Sequence, residues 1–469
     1  MRRLLTAISA ALCTIGMIAG VAPAAHAGEF TDIKDALAHI PGLTIVSENP
    51  APTGFRFFIL TYTQPADHRH PEAGTFQQRF TLLHKDFSAP TVMYTSGYNV
   101  NTNPNRSEPT QIVDGNQLSM EYRYFLPSRP QPENWAKQLT IWQAAADEHR
   151  AVQAFKAIYP GKWLATGGSK GGMTATYFRR FFPDDVDATI PYVAPNEVVQ
   201  DGSYNRFLAR VGNDPACRAN LKAIQRDTLK RRAELGAIAE ADAKRLGYTF
   251  TIVGSLDKSL EISVIDSYFA FWQYQKQADC ATVPKPGAPA AEIFAWFEKV
   301  ESLNTYSDQG LAPFIPYYYQ ASVQLNAPEA YDDYLRDLLR YPGADQARTF
   351  VPKSVKIPPF QPIAMADIDY WVRSQGSRFL FVYGQNDPWG AEPFVIGFGT
   401  KDSYRYYAPG GNHGSKIANL VPAEAAAATA TVRRWAGLPP TAMAFHAAPA
   451  PASFPDFDAD LTMLDRPRL

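Results

Sequence analysis

Ser169 stands in the run Gly167-Gly168-Ser169-Lys170-Gly171-Gly172, with glycine two residues before it and two residues after it. A serine hydroxyl is a weak nucleophile at neutral pH and becomes useful only when the backbone presents it to a base. An apolar stretch, Lys162-Trp163-Leu164-Ala165-Thr166, leads into the run, and a helix-forming stretch from Met173 to Phe182 leaves it before Pro183. A serine lifted on so tight a strand-to-helix turn needs glycine on both sides, because side chains there would collide with the neighbouring strand and helix. The bare pattern also occurs as an ordinary glycine turn. Its strand and helix context favours a nucleophile elbow.

An elbow serine of the α/β-hydrolase kind is followed along the chain by its acid and then by its histidine. Of the eight histidines only His413 and His446 come after Ser169, and His446 lies in a tail rich in alanine and proline. His413 is therefore the expected base. It follows the strand-like Tyr404-Arg405-Tyr406-Tyr407 and the turn Pro409-Gly410-Gly411-Asn412, which puts it at a strand's carboxyl end, where ligands of open parallel sheets gather. The strand-like Arg378-Phe379-Leu380-Phe381-Val382-Tyr383 runs into Gly384-Gln385-Asn386-Asp387-Pro388-Trp389, so Asp387 is the expected acid. Asp402 competes, but it precedes the last strand and so falls at the wrong end. An Asn-Asp-Pro turn without chemistry is the bland alternative for Asp387. In the expected mechanism His413 takes the Ser169 proton, Asp387 fixes the imidazole tautomer, and an acyl-enzyme forms and is hydrolysed. One oxyanion donor would be the Lys170 amide, and the other the amide of Tyr98 or Gly97 in the loop Ser96-Gly97-Tyr98-Asn99 after the strand-like Thr91-Val92-Met93-Tyr94. The Lys170 ammonium is expected to point away as a solvated charge. This chemistry calls for no cofactor and no metal, and His68 and His70 beside Asp67 read as a polar turn rather than a metal pair.

The elements that must position these groups form an α/β-hydrolase core with a mostly parallel sheet. Segments such as Phe55–Tyr62 and Phe76–Leu83 read as antiparallel opening strands, Trp135–Tyr159 as a helix with Leu139, Trp142, Ala146, Val152 and Phe155 on its apolar face, and Ala188–Val193 as the strand after the elbow helix. From about Asn196 to Val355 the chain turns charged and helix-forming, which is expected to be a helical cap inserted after the sixth strand. The expected organisation is a signal peptide over 1–27, core over 28–195 and 356–437, cap over 196–355, and an irregular tail over 438–469. The aromatic run Phe314-Ile315-Pro316-Tyr317-Tyr318-Tyr319 would line a substrate pocket or, more simply, fill the cap core.

The chain has 469 residues, 45 basic and 46 acidic side chains, and 46% hydrophobic residues. That suits a protein able to bury a large core, and with no basic patch or charge run to meet a polyanion no nucleic-acid partner is expected. Met1-Arg2-Arg3, an apolar stretch from Leu4 to Val21, and Ala25-His26-Ala27 have the pattern of a secretory signal, so secretion to an extracellular location without stable membrane association is expected. Cys13 would leave with the signal. Cys217 and Cys280 then remain, and an oxidising compartment favours a disulfide between them.

Several of these residues resemble a known family. Gly168-Ser169-Lys170-Gly171-Gly172-Met173, Tyr177-Phe178-Arg179, Phe182-Pro183, Val186-Asp187 and Ala194-Pro195-Asn196 are similar to the elbow region of the proline-specific serine exopeptidases that include lysosomal Pro-Xaa carboxypeptidase. Glu121-Tyr122-Arg123-Tyr124-Phe125 resembles their Glu-His-Arg-Tyr-Tyr element, and Asp387-Pro388-Trp389 their acid motif. Over most of the mature chain the closer resemblance is to secreted actinobacterial tripeptidyl aminopeptidases related to that group. The resemblance implies release of tripeptides from free N-termini of peptide substrates, often with proline next to the cut. It departs at Lys170, where the lysosomal relatives have tyrosine, and at Tyr122, where they have histidine. An aminopeptidase also needs an anion for the substrate ammonium, at a distance from the serine that sets the length released. Glu121 and Glu197 are the candidates, each with an ordinary ion pair as its alternative, and Trp389 joins them as a substrate-binding candidate beside the acid. Two other readings compete: an esterase or lipase with the same triad, against which the charged cap speaks, and a binding protein without catalysis, for which a complete triad has no use.

Overall fold

The computed structural model describes residues 30–440 and Phe457. Nine strands form one sheet: β1 (Leu43–Asn49), β2 (Arg56–Pro65), β3 (Thr75–His84), β4 (Thr91–Thr95), β5 (Asn116–Met120), β6 (Trp163–Gly168), β7 (Ala188–Tyr192), β8 (Leu380–Gly384) and β9 (Tyr404–Ala408). Their order is β1-β2-β3-β5-β4-β6-β7-β8-β9. The pairs from β1 to β5 through β2 and β3 are antiparallel, and those from β5 to β9 are parallel. Strands β4 to β8 are buried along their whole length, as parallel strands covered on both faces must be. Val92, Leu164, Ile190 and Val382 turn to the face covered by the helix Pro422–Trp435. Met93, Ala165 and Phe381 turn to the other, covered by the helices Ile141–Lys156, Lys170–Phe181 and Ile363–Gln375.

The topology locates the crevice. After β4 the chain pairs β5 on one side and then crosses to place β6 on the other, so the direction of winding reverses at β4. Loops leaving β4 and β6 diverge there, and the opening between them is where an open α/β sheet binds its ligand. The sequence places Ser96–Asn99 and Ser169 on those two loops.

Two strands escape the sequence reading, β1 and β5. The sixth strand of the expected core is consequently the seventh in chain order, because β1 adds an antiparallel edge. The expected single helix from Trp135 is two helices, Trp135–Gln138 and Ile141–Lys156, since Thr140 caps the second by accepting a hydrogen bond from the Gln143 amide. Between β7 and β8 the chain is helical, with helices Pro215–Lys230, Arg232–Leu246, Leu256–Tyr274 and Ala290–Val300 around a core of their own that includes Leu221, Leu260, Trp272 and Phe297. No helix among the described residues is long and apolar enough to cross a membrane. The expected signal peptide, His446 and all of the tail beyond residue 440 except Phe457 lie outside the described residues. Phe457 packs with Phe57, Ile59 and Leu83.

Cys217 and Cys280 are paired, with Cα atoms 5.5 Å apart across a sequence separation of 63 residues. Closing a loop of that length restricts the unfolded chain by about 4 kcal/mol. A Cys217→Ser/Cys280→Ser variant is expected to lose about that much stability in urea unfolding, and the wild-type protein with reductant should unfold at the midpoint of the variant. Coincident oxidised and variant midpoints would rule the brace out.

Candidate active site

Ser169 follows β6 directly and caps the helix Lys170–Phe181 with φ 56° and ψ −127°. A residue with a Cβ pays roughly 1–3 kcal/mol for such a conformation, so the surroundings must hold it. The Ser169 amide donates to the Tyr192 carbonyl at 2.9 Å, and its carbonyl accepts from the Met173 amide at 3.0 Å. The flanking glycines have no room for a side chain: a Cβ on Gly167 would lie 2.3 Å from the Thr95 carbonyl oxygen, and one on Gly171 2.1 Å from the same atom. The elbow is thus wedged against the end of β4.

The turn throws the Ser169 hydroxyl toward His413, whose Nε2 lies 2.8 Å from Oγ. His413 Nδ1 is 2.7 Å from Asp387 Oδ2. An ionised carboxylate only accepts, so Nδ1 carries the hydrogen and Nε2 is left to accept from the serine. Asp387 is oriented in turn by the Trp389 amide, which donates to Oδ1 at 3.1 Å. His413 and Asp387 are fully buried and Ser169 is 7% exposed. The end of the helix Leu256–Tyr274 reaches down to this loop: the His413 amide donates to the Gln273 carbonyl at 3.0 Å, and Asn412 Nδ2 to the Tyr274 carbonyl at 3.0 Å. Asp402, the competing acid, sits at the opposite end of the sheet, paired with Arg434 at 2.7 Å.

The loop after β4 lies against the elbow. A Cβ on Gly97 would fall 2.8 Å from the Gly171 nitrogen, and its φ of +78° suits glycine. The Gly97 amide donates inward to Thr95 Oγ1 at 3.0 Å. The Tyr98 amide donates to Ser96 Oγ at 3.1 Å, and Tyr98 lines the cavity that holds Ser169. Solvent exposure of the Lys170 ammonium, expected from charge alone, is overturned: the residue is 1% exposed, and Nζ donates to the Gly97 carbonyl at 2.7 Å. The loop curls over the helix N-terminus and encloses it.

The two candidate anions have different surroundings. Glu121 is fully buried and already occupied: it pairs with Arg79, accepts from Ser128 Oγ at 2.8 Å and from the Val100 amide at 3.2 Å. Its neighbours in the motif are equally engaged, Tyr122 with the Tyr177 hydroxyl at 2.7 Å and Arg123 with Asp147 at 2.7 Å. The motif clasps β5 to the loop after β4 and to the helix Ile141–Lys156. His68 joins the same network through Asp147 at 2.7 Å.

Glu197 is 2% exposed and lines the Ser169 cavity with Trp389, Tyr98, Met173, Tyr317 and Gln273. Neither of its carboxylate oxygens has a hydrogen-bond partner. The Tyr204 hydroxyl lies alongside, outside hydrogen-bonding geometry, and its pull on the carboxyl is outweighed: burial first, then the charges of Glu392 and Glu329, push Glu197 well above the usual carboxylate range. Burial and Asp201 push Glu392 up to about 7. Trp389 packs edge-on against Phe269 at 5.3 Å and lies 6.1 Å from the His413 ring, joining the inserted helices to the acid loop. Gln273 and Asn326, both in the cavity wall, are missed by sequence reading. No motif marks them, although the φ of 65° at Asn326 betrays a constrained position once the fold is known. Of the aromatic run, Tyr317 lines the cavity and Tyr318 and Tyr319 are buried core.

A mostly parallel sheet with a serine elbow after one central strand and loops bearing an acid and a histidine after the last two is the α/β-hydrolase fold. Solved chains similar to this one include a proline iminopeptidase from Mycobacterium smegmatis (14% identical, TM-score 0.36, covering 80% of this chain and 98% of that one) and an esterase from Pyrobaculum calidifontis (10% identical, TM-score 0.33, covering 86% and 90%). The family described as PS-10 peptidase S37 matches residues 27–468, and the chain belongs to that peptidase family. It is 53% identical to the prolyl tri/tetrapeptidyl aminopeptidase of Streptomyces mobaraensis over 94% of each chain. It is 26% identical to the serine protease vicPb of Bipolaris victoriae over 35% of each.

Proposed function

We propose that this peptidase is secreted and releases tripeptides from peptides with free N-termini, with proline preferred before the cut, through Ser169, His413 and Asp387. The observation that carries the reading is a single cavity holding the Ser169 hydroxyl, hydrogen-bonded to His413, and the partnerless carboxylate of Glu197. The name of the Streptomyces relative supports the tripeptidyl and prolyl parts. The charged start and small-residue cleavage pattern of residues 1–27 support secretion.

In this reading the Ser169 oxygen attacks the scissile carbonyl carbon while its proton passes to His413 Nε2. The tetrahedral oxyanion is held by the amides of Lys170 and Tyr98. Collapse breaks the C–N bond, His413 returns the proton to the departing amine, and water repeats the sequence to free the acid and restore Ser169. Glu197 pairs with the substrate ammonium. An extended tripeptidyl unit spans about 10 Å, and a fixed anion makes that span a ruler. The cavity has a volume of about 20 Å³, whereas sites for ligands of drug size run to roughly 300 Å³ or more, so substrate entry displaces wall side chains such as Gln273 and Tyr317.

Mass spectrometry of products from matched free and N-acetylated peptides, with and without proline third, tests the proposal. Tripeptides from free N-termini alone are expected. Equal cleavage of acetylated peptides would remove the ammonium site, and ester hydrolysis without peptide cleavage would move the reading to an esterase.

A further inference from the structure

Lys170 follows the nucleophile, yet as a residue it is more deeply buried than the serine, at 1% against 7% exposure. Its amine lies in an aromatic cage. Nζ is 3.2 Å from the centroid of the Tyr122 ring, 5.5 Å from that of Tyr98 and 5.7 Å from that of Phe125. Rings present negative faces to a cation, and desolvation strengthens the attraction. Around the cage the hydroxyls are tied off: Tyr122 to Tyr177 at 2.7 Å and to Gln320 at 2.8 Å, and Thr174 Oγ1 to the Lys170 carbonyl at 2.7 Å. Burial holds the Lys170 amine well below the usual lysine range, and Glu148, fully buried on the helix Ile141–Lys156 with both oxygens lacking hydrogen-bond partners and itself pushed well above the carboxylate range by burial, only partly opposes that.

One polar bond leaves the cage, from Nζ to the Gly97 carbonyl at 2.7 Å. That carbonyl and the Tyr98 N–H belong to one rigid trans peptide plane and point in opposite directions. Fixing the oxygen therefore fixes the direction of the N–H, which in the free enzyme donates to Ser96 Oγ at 3.1 Å and would exchange that acceptor for the oxyanion. The Tyr122 amide adds a second anchor, donating to the Tyr98 carbonyl at 2.9 Å. Lys170 and Tyr122, the two positions at which the chain departs from the lysosomal pattern, are thus in direct contact.

We propose that Lys170 is a positioning residue for the oxyanion hole: it offers its own amide as one donor, and through the Nζ bond to the Gly97 carbonyl it aims the Tyr98 amide as the other. The inference rests on the serine mechanism proposed above. It makes one residue responsible for the spacing of two donors on separate loops, and a buried lysine with no partner in substrate gains a role.

Lys170→Met keeps length and packing but removes the donor. Loss of a whole oxyanion donor costs about 10²–10³ in kcat, so loss of its alignment is expected to cost about 10- to 100-fold, with KM within about threefold. Affinity for a peptidyl boronate, which forms the tetrahedral adduct, should fall by the same factor as kcat, while product tripeptide binds as before. Val432→Ala, a core truncation under the opposite face of the sheet, controls for general loss of stability. A Lys170→Met enzyme with kcat within about twofold of wild type, or one whose product affinity falls along with kcat, overturns the proposal. If the variant does not fold, ¹⁵N-lysine NMR of the wild-type protein decides. One side-chain signal should be protected from solvent exchange and should shift when the boronate binds, and uniformly fast exchange or an unmoved protected signal counts against the latch. An active Ser169→Ala enzyme would remove the mechanism itself, whereas an inactive one beside a fully active Lys170→Met enzyme removes only the latch.

Discussion

Ser169→Ala is expected to lower kcat by about 10⁴- to 10⁶-fold while leaving tripeptide product affinity nearly unchanged. The size follows from how the three side chains depend on one another. His413 Nε2 has the Ser169 hydroxyl as its partner at 2.8 Å, and Asp387 acts only through His413; removing the nucleophile therefore idles the other two. What remains is carbonyl polarisation by the oxyanion donors and substrate alignment, which in serine peptidases still amounts to about 10³–10⁴ over water. Calorimetric titration with product separates chemistry from binding. Undiminished turnover would exclude Ser169 as the nucleophile, and lost product binding would point to a misfolded site instead. The backbone supplies an independent check. Alanine at φ 56° keeps the strain of the elbow, whereas glycine adopts that conformation without a Cβ. Ser169→Gly should be as inactive as Ser169→Ala yet more stable than it by about 1 kcal/mol or more, as expected where strain at a functional residue is held by its surroundings.

The residues proposed to carry the chemistry were legible because the position of each is forced by local backbone rules. Gly167 and Gly171 announce the elbow, since a Cβ on either would strike the end of β4. Asp387 and His413 follow aromatic, β-rich strands at the one sheet edge where a ligand fits, and Asp402 fails on that ground before any coordinates are known. Strand β1 was illegible because its exposure alternates on an edge and its core-side residues are only half buried. Strand β5, Asn116-Gln117-Leu118-Ser119-Met120, was illegible for the opposite reason. It is fully buried yet mostly polar, with Gln117 accepting from the Ser107 amide and Asn116 from the Lys85 amide, in the loops that precede it. The surroundings of Lys170 and Glu121 depend on the loop after β4 folding over the elbow, a tertiary event without a periodic signal. Charge suggested solvent for Lys170, but an aromatic cage and a carbonyl supplied its partners. For Glu121 a shared motif suggested substrate, and Arg79, 42 residues upstream in β3, holds its carboxylate.

Glu197→Gln is expected to lower kcat/KM for peptides with free N-termini by about 100-fold, since removing one partner of a buried charge pair costs 2–5 kcal/mol. N-acetylated peptides, already poor substrates, should lose no more than a fewfold, and the two changes together should cost no more than either alone. A variant that slows both substrates equally would place Glu197 in the scaffold rather than at the ammonium. The pH profile carries the same logic. Burial and the charges of Glu392 and Glu329 raise the Glu197 carboxyl above its ordinary range, with Asp201 and the Tyr204 hydroxyl also facing it, while a peptide α-amino group loses its proton near pH 8. The productive pair therefore exists only between the raised carboxyl pKa and about pH 8. On the acid side kcat/KM for free N-termini falls as Glu197 takes up a proton, a limb that acetylated substrates lack, so the difference between the two profiles isolates Glu197. The stability consequence has the opposite sign to that of an ordinary salt-bridged carboxylate. The folded pKa lies above the unfolded value, so the folded state holds the extra proton between them, and stability is lost as pH rises through that interval at about 1.4 kcal/mol per unit of separation. Glutamine has no charge to bury. Glu197→Gln should thus be more stable than wild type at neutral pH and nearly equal to it below the unfolded pKa, a gain readable in urea midpoints across pH. A stabilised protein that has lost its preference for free N-termini is the combination that a structural ion-pair partner does not produce.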